Sequence, residues 1–185
     1  QVFYSRQPNG INNDDDVKLA RKEDPKDLNL ILTEANLYIQ LKESDRFEDL
    51  MKEAITQDPN NATLYFNLGV VNAQNGNSEE AKSYYKKTIE LDPNLESGYL
   101  NLVSLILEGE SSIVEEMNGL GTSRADNARY DELKETRENL YKECVPILEK
   151  LVEINKNQEA ISTLMNIYGT LGNNDGFKRM KELVE

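Results

Sequence analysis

From residue 28 onward, apolar residues recur at intervals of three and four, the spacing that lines one face of an α-helix. Leu28, Ile31, Leu32, Ala35, Tyr38 and Ile39 mark a first such helix. Phe47, Leu50, Met51, Ala54 and Ile55 mark a second. It must end before Pro59, because proline lacks an N–H and crowds the preceding turn. Two more helices are predicted over 61–74 and 78–91, joined by Asn75-Gly76-Asn77. Gly76 suits the left-handed conformation that closes a helix, and Asn77 caps the next one. Glu79 and Glu80 follow in the first turn, where the helix dipole favours negative charge.

The pattern then lengthens. Leu95, Tyr99, Leu102, Val103, Ile106, Ile113 and Met117 read as one long helix, broken at 118–123 by a glycine-rich stretch. A return helix carries Tyr130, Leu133, Arg137, Leu140, Cys144, Ile147, Leu151 and Ile154, alternating steps of three and four as in a coiled-coil seam. The pair predicts an antiparallel hairpin, kinked on its return limb at Pro146. A last pair follows: Ile161, Leu164, Met165 and Tyr168, then a turn at Gly172-Asn173-Asn174, then Phe177, Met180 and Leu183 to the chain end. Residues 1–27 lack this regularity. Gln1 to Ser5 read as a strand or extended arm and Gln7-Pro8-Asn9-Gly10 as a turn. Asn12 to Asp16 form an acidic run that caps a short helix, halted by Asp24-Pro25. A start at Gln1 and the absence of repeat character suggest the tail of a preceding region in a longer protein.

Asp-Pro-Asn occurs twice, at Asp58-Pro59-Asn60 and Asp92-Pro93-Asn94, 34 residues apart. Between the copies stand Tyr65-x2-Leu68-Gly69 and Ala81-x3-Tyr85, closed by Pro93. In period and signature this segment resembles the tetratricopeptide repeat, a helix–turn–helix unit that stacks on its neighbours. Asn72 departs from the pattern, which has Tyr there. The resemblance implies an all-α solenoid of about four repeats over 28–185, with units near 28–61, 62–95, 96–157 and 158–185. The third unit is expected to extend into the long hairpin. The arrangement also resembles Bacteroidetes repeat proteins with a long inserted hairpin. Those commonly carry export signals, which implies a cell-envelope location, with cytoplasm the alternative.

The family's first helices line a concave face that holds peptides or partner helices. By helical spacing, the residues assigned to that face are Asn29, Leu32, Asn36, Ile39 and Gln40, then Thr63, Phe66, Val70, Ala73 and Gln74. Ser97, Leu100, Ser104 and Leu107 continue the set, followed by Ser162, Asn166 and Thr170. The set contains no Lys, Arg or Asp, so it predicts a neutral, partly apolar groove for a protein or peptide. The alternatives are that curvature simply buries these residues, or that the chain's own Val2-Phe3-Tyr4 fills the groove. A related subfamily clamps C-terminal carboxylates with Lys, Arg and Asn. Asn67 and Asn101 fit that clamp, but Leu32, Ser97 and Asn101 stand at its matching places, so no cations hold an anion.

Composition removes other classes of function. Lys and Arg number 21 against 34 Asp and Glu, a formal charge of −13, which repels nucleic acid and anionic membranes. No apolar run reaches the roughly 18 to 20 residues needed to span a bilayer. There is no His and one Cys, so neither a zinc ligand set nor a histidine base is present, and no cofactor is expected. Asn12-x-Asp14-x-Asp16 with Glu23 imitates calcium-loop spacing, but Val17 stands where that loop needs Gly. Cys144 lies on the apolar seam and reads as a small buried hydrophobe. The expectation is a non-enzymatic binding module. Its rivals are a self-associating protein that uses the hairpin at 104–143, or the non-catalytic part of a larger enzyme or envelope assembly.

Overall fold

In the computed structural model, which describes residues 14–184, every regular element is an α-helix. In chain order they are α1 (Asp14–Glu23), α2 (Leu28–Leu41), α3 (Ser44–Gln57), α4 (Ala62–Gln74) and α5 (Ser78–Leu91). They continue with α6 (Glu96–Ile106), α7 (Glu110–Gly119), α8 (Arg124–Asn155), α9 (Gln158–Thr170) and α10 (Asn174–Lys181). The arm at Val2-Phe3-Tyr4, the turn at residues 7–10 and Asn12 lie outside the described residues. The chain divides into two compact units, the first ending at Tyr84 and the second beginning at Tyr85.

In the first unit, the apolar stripes of α2, α3 and α4 meet in one core. Ile31, Ala35, Tyr38, Phe47, Met51, Ala54, Leu64, Leu68 and Val71 are buried there. Each helix contributes residues three or four apart, as the periodicity requires. α1 packs against α2 and buries Val17. Its Arg21 pairs with Glu34 of α2 at 3.0 Å and Glu53 of α3 at 2.7 Å, and also donates to the Pro25 carbonyl. This helix, outside the repeat pattern, is thereby tied to the unit that follows it.

One turn geometry recurs. After α2, α4 and α9 the chain enters the left-handed region at Lys42 (φ 60°), Gly76 (φ 79°) and Gly172 (φ 68°). In each case the next residue's N–H returns to a carbonyl five positions back: Glu43 to Tyr38, Asn77 to Asn72, and Asn173 to Tyr168, all at 2.9 Å. That bond satisfies a carbonyl the helix end would otherwise leave open. The Asp-Pro-Asn copies also build matching turns. The Asp58 carbonyl accepts from Asn61 N–H at 3.3 Å and the Asp92 carbonyl from Leu95 N–H at 3.1 Å. Asn72, the departure from the repeat signature, is buried and hydrogen-bonded through both ends of its amide. Its Nδ2 donates to the Leu68 carbonyl at 3.0 Å, and its Oδ1 accepts from Asn77 Nδ2 at 3.2 Å.

In the second unit, α8 packs against α6, α7 and α9, and α10 packs against α9. Two close approaches depend on glycine. A Cβ at Gly98 would meet Thr88 and Ile89 at 3.2 Å, and one at Gly176 would meet the Tyr168 ring at 2.8 Å.

Three expectations are corrected. The long helix ending at Met117 is two helices, because 107–109 form a turn. Gly109 is a poor helix former, and Glu108 and Glu110 place like charges on either side of it. The seam on α8 is also displaced. Leu133, Cys144 and Leu151 are buried as expected, but Tyr130 is exposed, and Tyr141, Leu148 and Val152 are buried instead of Leu140, Ile147 and Ile154. A helix of 3.6 residues per turn drifts away from a 3.5-residue seam, and over 32 residues α8 serves successive partners, not one. Finally, α10 stops at Lys181.

Candidate functional site

The predicted groove residues fall in both units. In the first unit, Asp27 caps α2 by accepting from Leu30 N–H at 3.1 Å, and Asn61 caps α4 by accepting from Thr63 N–H at 3.2 Å. These caps fix where each helix starts and so which side chains share a face. Leu32 and Ile39 are half-buried and lean on the core, while Asn36 and Gln40 between and beside them are exposed. On α4, Phe66 and Val70 are half-buried, and Thr63 and Gln74 are exposed. Their immediate neighbours Leu64, Leu68 and Val71 are buried.

In the second unit, Leu100 and Leu107 are half-buried, and Ser104 and Asn166 are exposed. Leu107 sits in the turn between α6 and α7, not on a continuous helix. It edges an open depression of about 640 Å³ that also touches Glu110, Ser111, Val114, Asn118 and Arg137. Ser111, Val114 and Asn118 are spaced three and four residues apart on one face of α7, and Leu107 joins them from the turn. The sequence reading did not mark this face, because along the helix it continued to Met117 it picked out Ile113 and Met117 and passed over Ser111, Val114 and Asn118.

Ion pairs join the two limbs of the hairpin. No residue of α7 is buried. Arg137 Nε donates to Glu110 at 2.9 Å, its guanidinium lies 5.2 Å from the Tyr141 ring centre, and the Tyr141 hydroxyl donates to the same carboxylate. Near the tip, Arg129 grips Glu116 through two hydrogen bonds of 2.7 and 3.2 Å and also reaches Glu132 at 3.1 Å. Ser123 and Asp126 form a reciprocal capping box that starts α8.

Cys144 is buried, and burial first, then the nearby Glu143 and Glu110 charges, push its thiol up to about 12. It is protonated at neutral pH, so it is no nucleophile there. Among the described residues, no group of three or more Cys, Asp or Glu side chains is placed to hold a metal ion. None of the described helices is long and apolar enough to cross a membrane. Asn101, one candidate clamp residue, donates back to the Ser97 carbonyl at 2.8 Å on its own helix.

Residues 62–95 match the family profile described as the tetratricopeptide repeat. No curated protein matches the chain by sequence. Among solved structures, the crystal structure of MamA protein shares 16% identity at a TM-score of 0.58, covering 92% of this chain and 78% of that one. The MamA RS-1 ArsTM double mutant shares 11% at a TM-score of 0.60, covering 92% and 80%. A tetratricopeptide repeat protein from Parabacteroides merdae shares 16% at 0.49, covering 92% and 70%. At such identities the likeness is one of fold. The tetratricopeptide repeat match is confined to residues 62–95, and the chain as a whole has an all-α fold of paired helices with a long hairpin, similar to that of the MamA structures.

Proposed function

We propose that this chain is a protein-interaction scaffold that performs no chemistry of its own and that each unit holds a partner segment on the neutral faces of its first helices. In the first unit the contacts come from Leu32, Asn36, Ile39, Gln40, Thr63, Phe66, Val70 and Gln74. In the second they come from Leu100, Ser104, Leu107 and Asn166. One observation carries this reading: none of the twelve is buried, although buried residues stand beside them on the same helices. In a chain of charge −13, these positions carry no charged side chain. Half-buried apolar residues among amides and hydroxyls suit a segment that presents apolar side chains and backbone groups.

Affinity capture from lysate of the source cells tests it, with wild type and Phe66→Arg/Val70→Arg as baits. The expected result is loss of one or more specific partners from the variant while its helical circular dichroism stays intact. Identical recovered proteins with both baits would remove the groove of the first unit from the function.

A further inference from the structure

The depression beside α7 offers a second surface, and its chemistry selects an occupant. α7 and the residue two before it carry Glu108, Glu110, Glu115 and Glu116 with no Lys or Arg. Two of these carboxylates are neutralised across the hairpin, Glu110 by Arg137 and Glu116 by Arg129. Glu115 lines the depression and is exposed, and Glu108, exposed as well, follows the lining residue Leu107 in the chain. Among the described residues neither has a cation partner. Leu107 and Val114, both half-buried, supply its apolar lining. The surface is therefore a small apolar floor with surplus negative charge at its rim.

We infer that this depression takes an apolar side chain from a partner protein segment that carries lysine or arginine next to it, as on a basic amphipathic helix. The apolar side chain gains from leaving water over Leu107 and Val114, and the flanking cations meet Glu108 and Glu115. A second copy of this chain is disfavoured, because it would bring another α7 carboxylate cluster and a formal charge of −13 to a surface already negative. This surface lies within the second unit and shares only Leu107 with the groove proposed above.

Two fluorescein-labelled peptides test it against the full chain by anisotropy at about 150 mM salt. Both form amphipathic helices with the same leucine stripe, one flanked by lysines and the other by glutamates. The expected result is binding of the lysine peptide alone, weakened about fivefold or more by Glu115→Lys and abolished by Val114→Arg. Glu79→Lys, an equal charge change on an exposed residue of the first unit, should leave affinity within about twofold. Phe66→Arg/Val70→Arg should leave it unchanged, which separates failure here from failure of the groove. The inference is overturned if neither peptide binds, or if Glu79→Lys weakens binding as much as Glu115→Lys. It is equally overturned if sedimentation shows a dimer that Val114→Arg dissociates, because a second copy would then cover the face.

Discussion

The core shared by α2, α3 and α4 and the hairpin of α7 and α8 are both antiparallel helical packings, yet different forces hold them. The first buries nine residues, all apolar or tyrosine, in one cluster. The second leaves every residue of α7 at least partly exposed and joins its limbs by Arg137–Glu110 and Arg129–Glu116. Burial is worth about 1.5–3 kcal/mol per large side chain, whereas exposed ion pairs are worth about 0–1 kcal/mol. The first unit should therefore unfold as a block, and α7 should open locally at lower cost.

The largest effect that separates the two is a cavity. Leu68 has no exposed surface, so Leu68→Ala should cost about 2–5 kcal/mol, read as a lower urea midpoint at unchanged slope. Met117→Ala on half-exposed α7 should cost about 1 kcal/mol or less. Equal shifts would mean that the hairpin is cored after all. Next in size, Glu110→Gln leaves Arg137 and the Tyr141 hydroxyl without their carboxylate. The pair is about one-quarter exposed on each side, so the cost should be about 1–2 kcal/mol, discounted for solvent screening. Hydrogen exchange should show α7 amides opening faster while those of α2 and α3 keep their rates. Uniform acceleration would sink the claim of local opening.

The turn geometry explains how much of the fold could be read from sequence. Gly76 and Gly172 announced their turns, because a φ of 79° or 68° favours a residue without Cβ. Lys42 makes the same turn at φ 60° and gave no such signal. The tertiary packing of α2 and α3 enforces a conformation that lysine tolerates only at a cost. Asn72 was legible as a departure but not as the buried amide that ties α4 to the turn after it, since that depends on Asn77 being within reach. The phase of α8 was legible only in part: Leu133, Cys144 and Leu151 are buried as read, but Tyr141, Leu148 and Val152 are not on the expected seam, because the exchange of partners along a 32-residue helix leaves no local mark. For the candidate site, helical spacing indicates which residues face away from a core. What they touch depends on a partner that the chain does not encode. The face of Ser111, Val114 and Asn118 was hidden for a different reason: it carries one apolar residue, Val114, so it has no stripe that periodicity can pick out.

The turns also supply a smaller test. Gly76→Ala should cost about 1 kcal/mol, because alanine must adopt the left-handed conformation. Lys42→Gly relieves that same strain and should gain up to about 1 kcal/mol, less whatever entropy glycine adds to the unfolded chain. The opposite signs, read from urea midpoints, are the point of the pair. If Lys42→Gly destabilises as much as Gly76→Ala does, the two turns are not equivalent and the repeat does not extend to α2 and α3 at the level of backbone geometry.

The smallest effect lies at the hairpin tip. The hydrogen bonds from Arg129 hold the Glu116 carboxyl below the ordinary glutamate value, and the guanidinium charge adds to this, while slight burial works the other way. A carboxylate whose folded pKa is depressed contributes its stabilisation above the unfolded pKa and loses it as pH falls through the folded value. The tip contact should therefore be complete at neutral pH and should fade only below about pH 4. A carbon-13 NMR titration of the side-chain carboxyl should place the Glu116 midpoint below the ordinary glutamate value. Arg129→Gln should return it there, and high salt should do so in part. An unchanged midpoint in Arg129→Gln would show that this ion pair does not persist in solution. The hairpin would then rest on Arg137, Glu110 and Tyr141 alone, and its outer turn, including the face of Val114 and Asn118, would open more readily than the rest of α8.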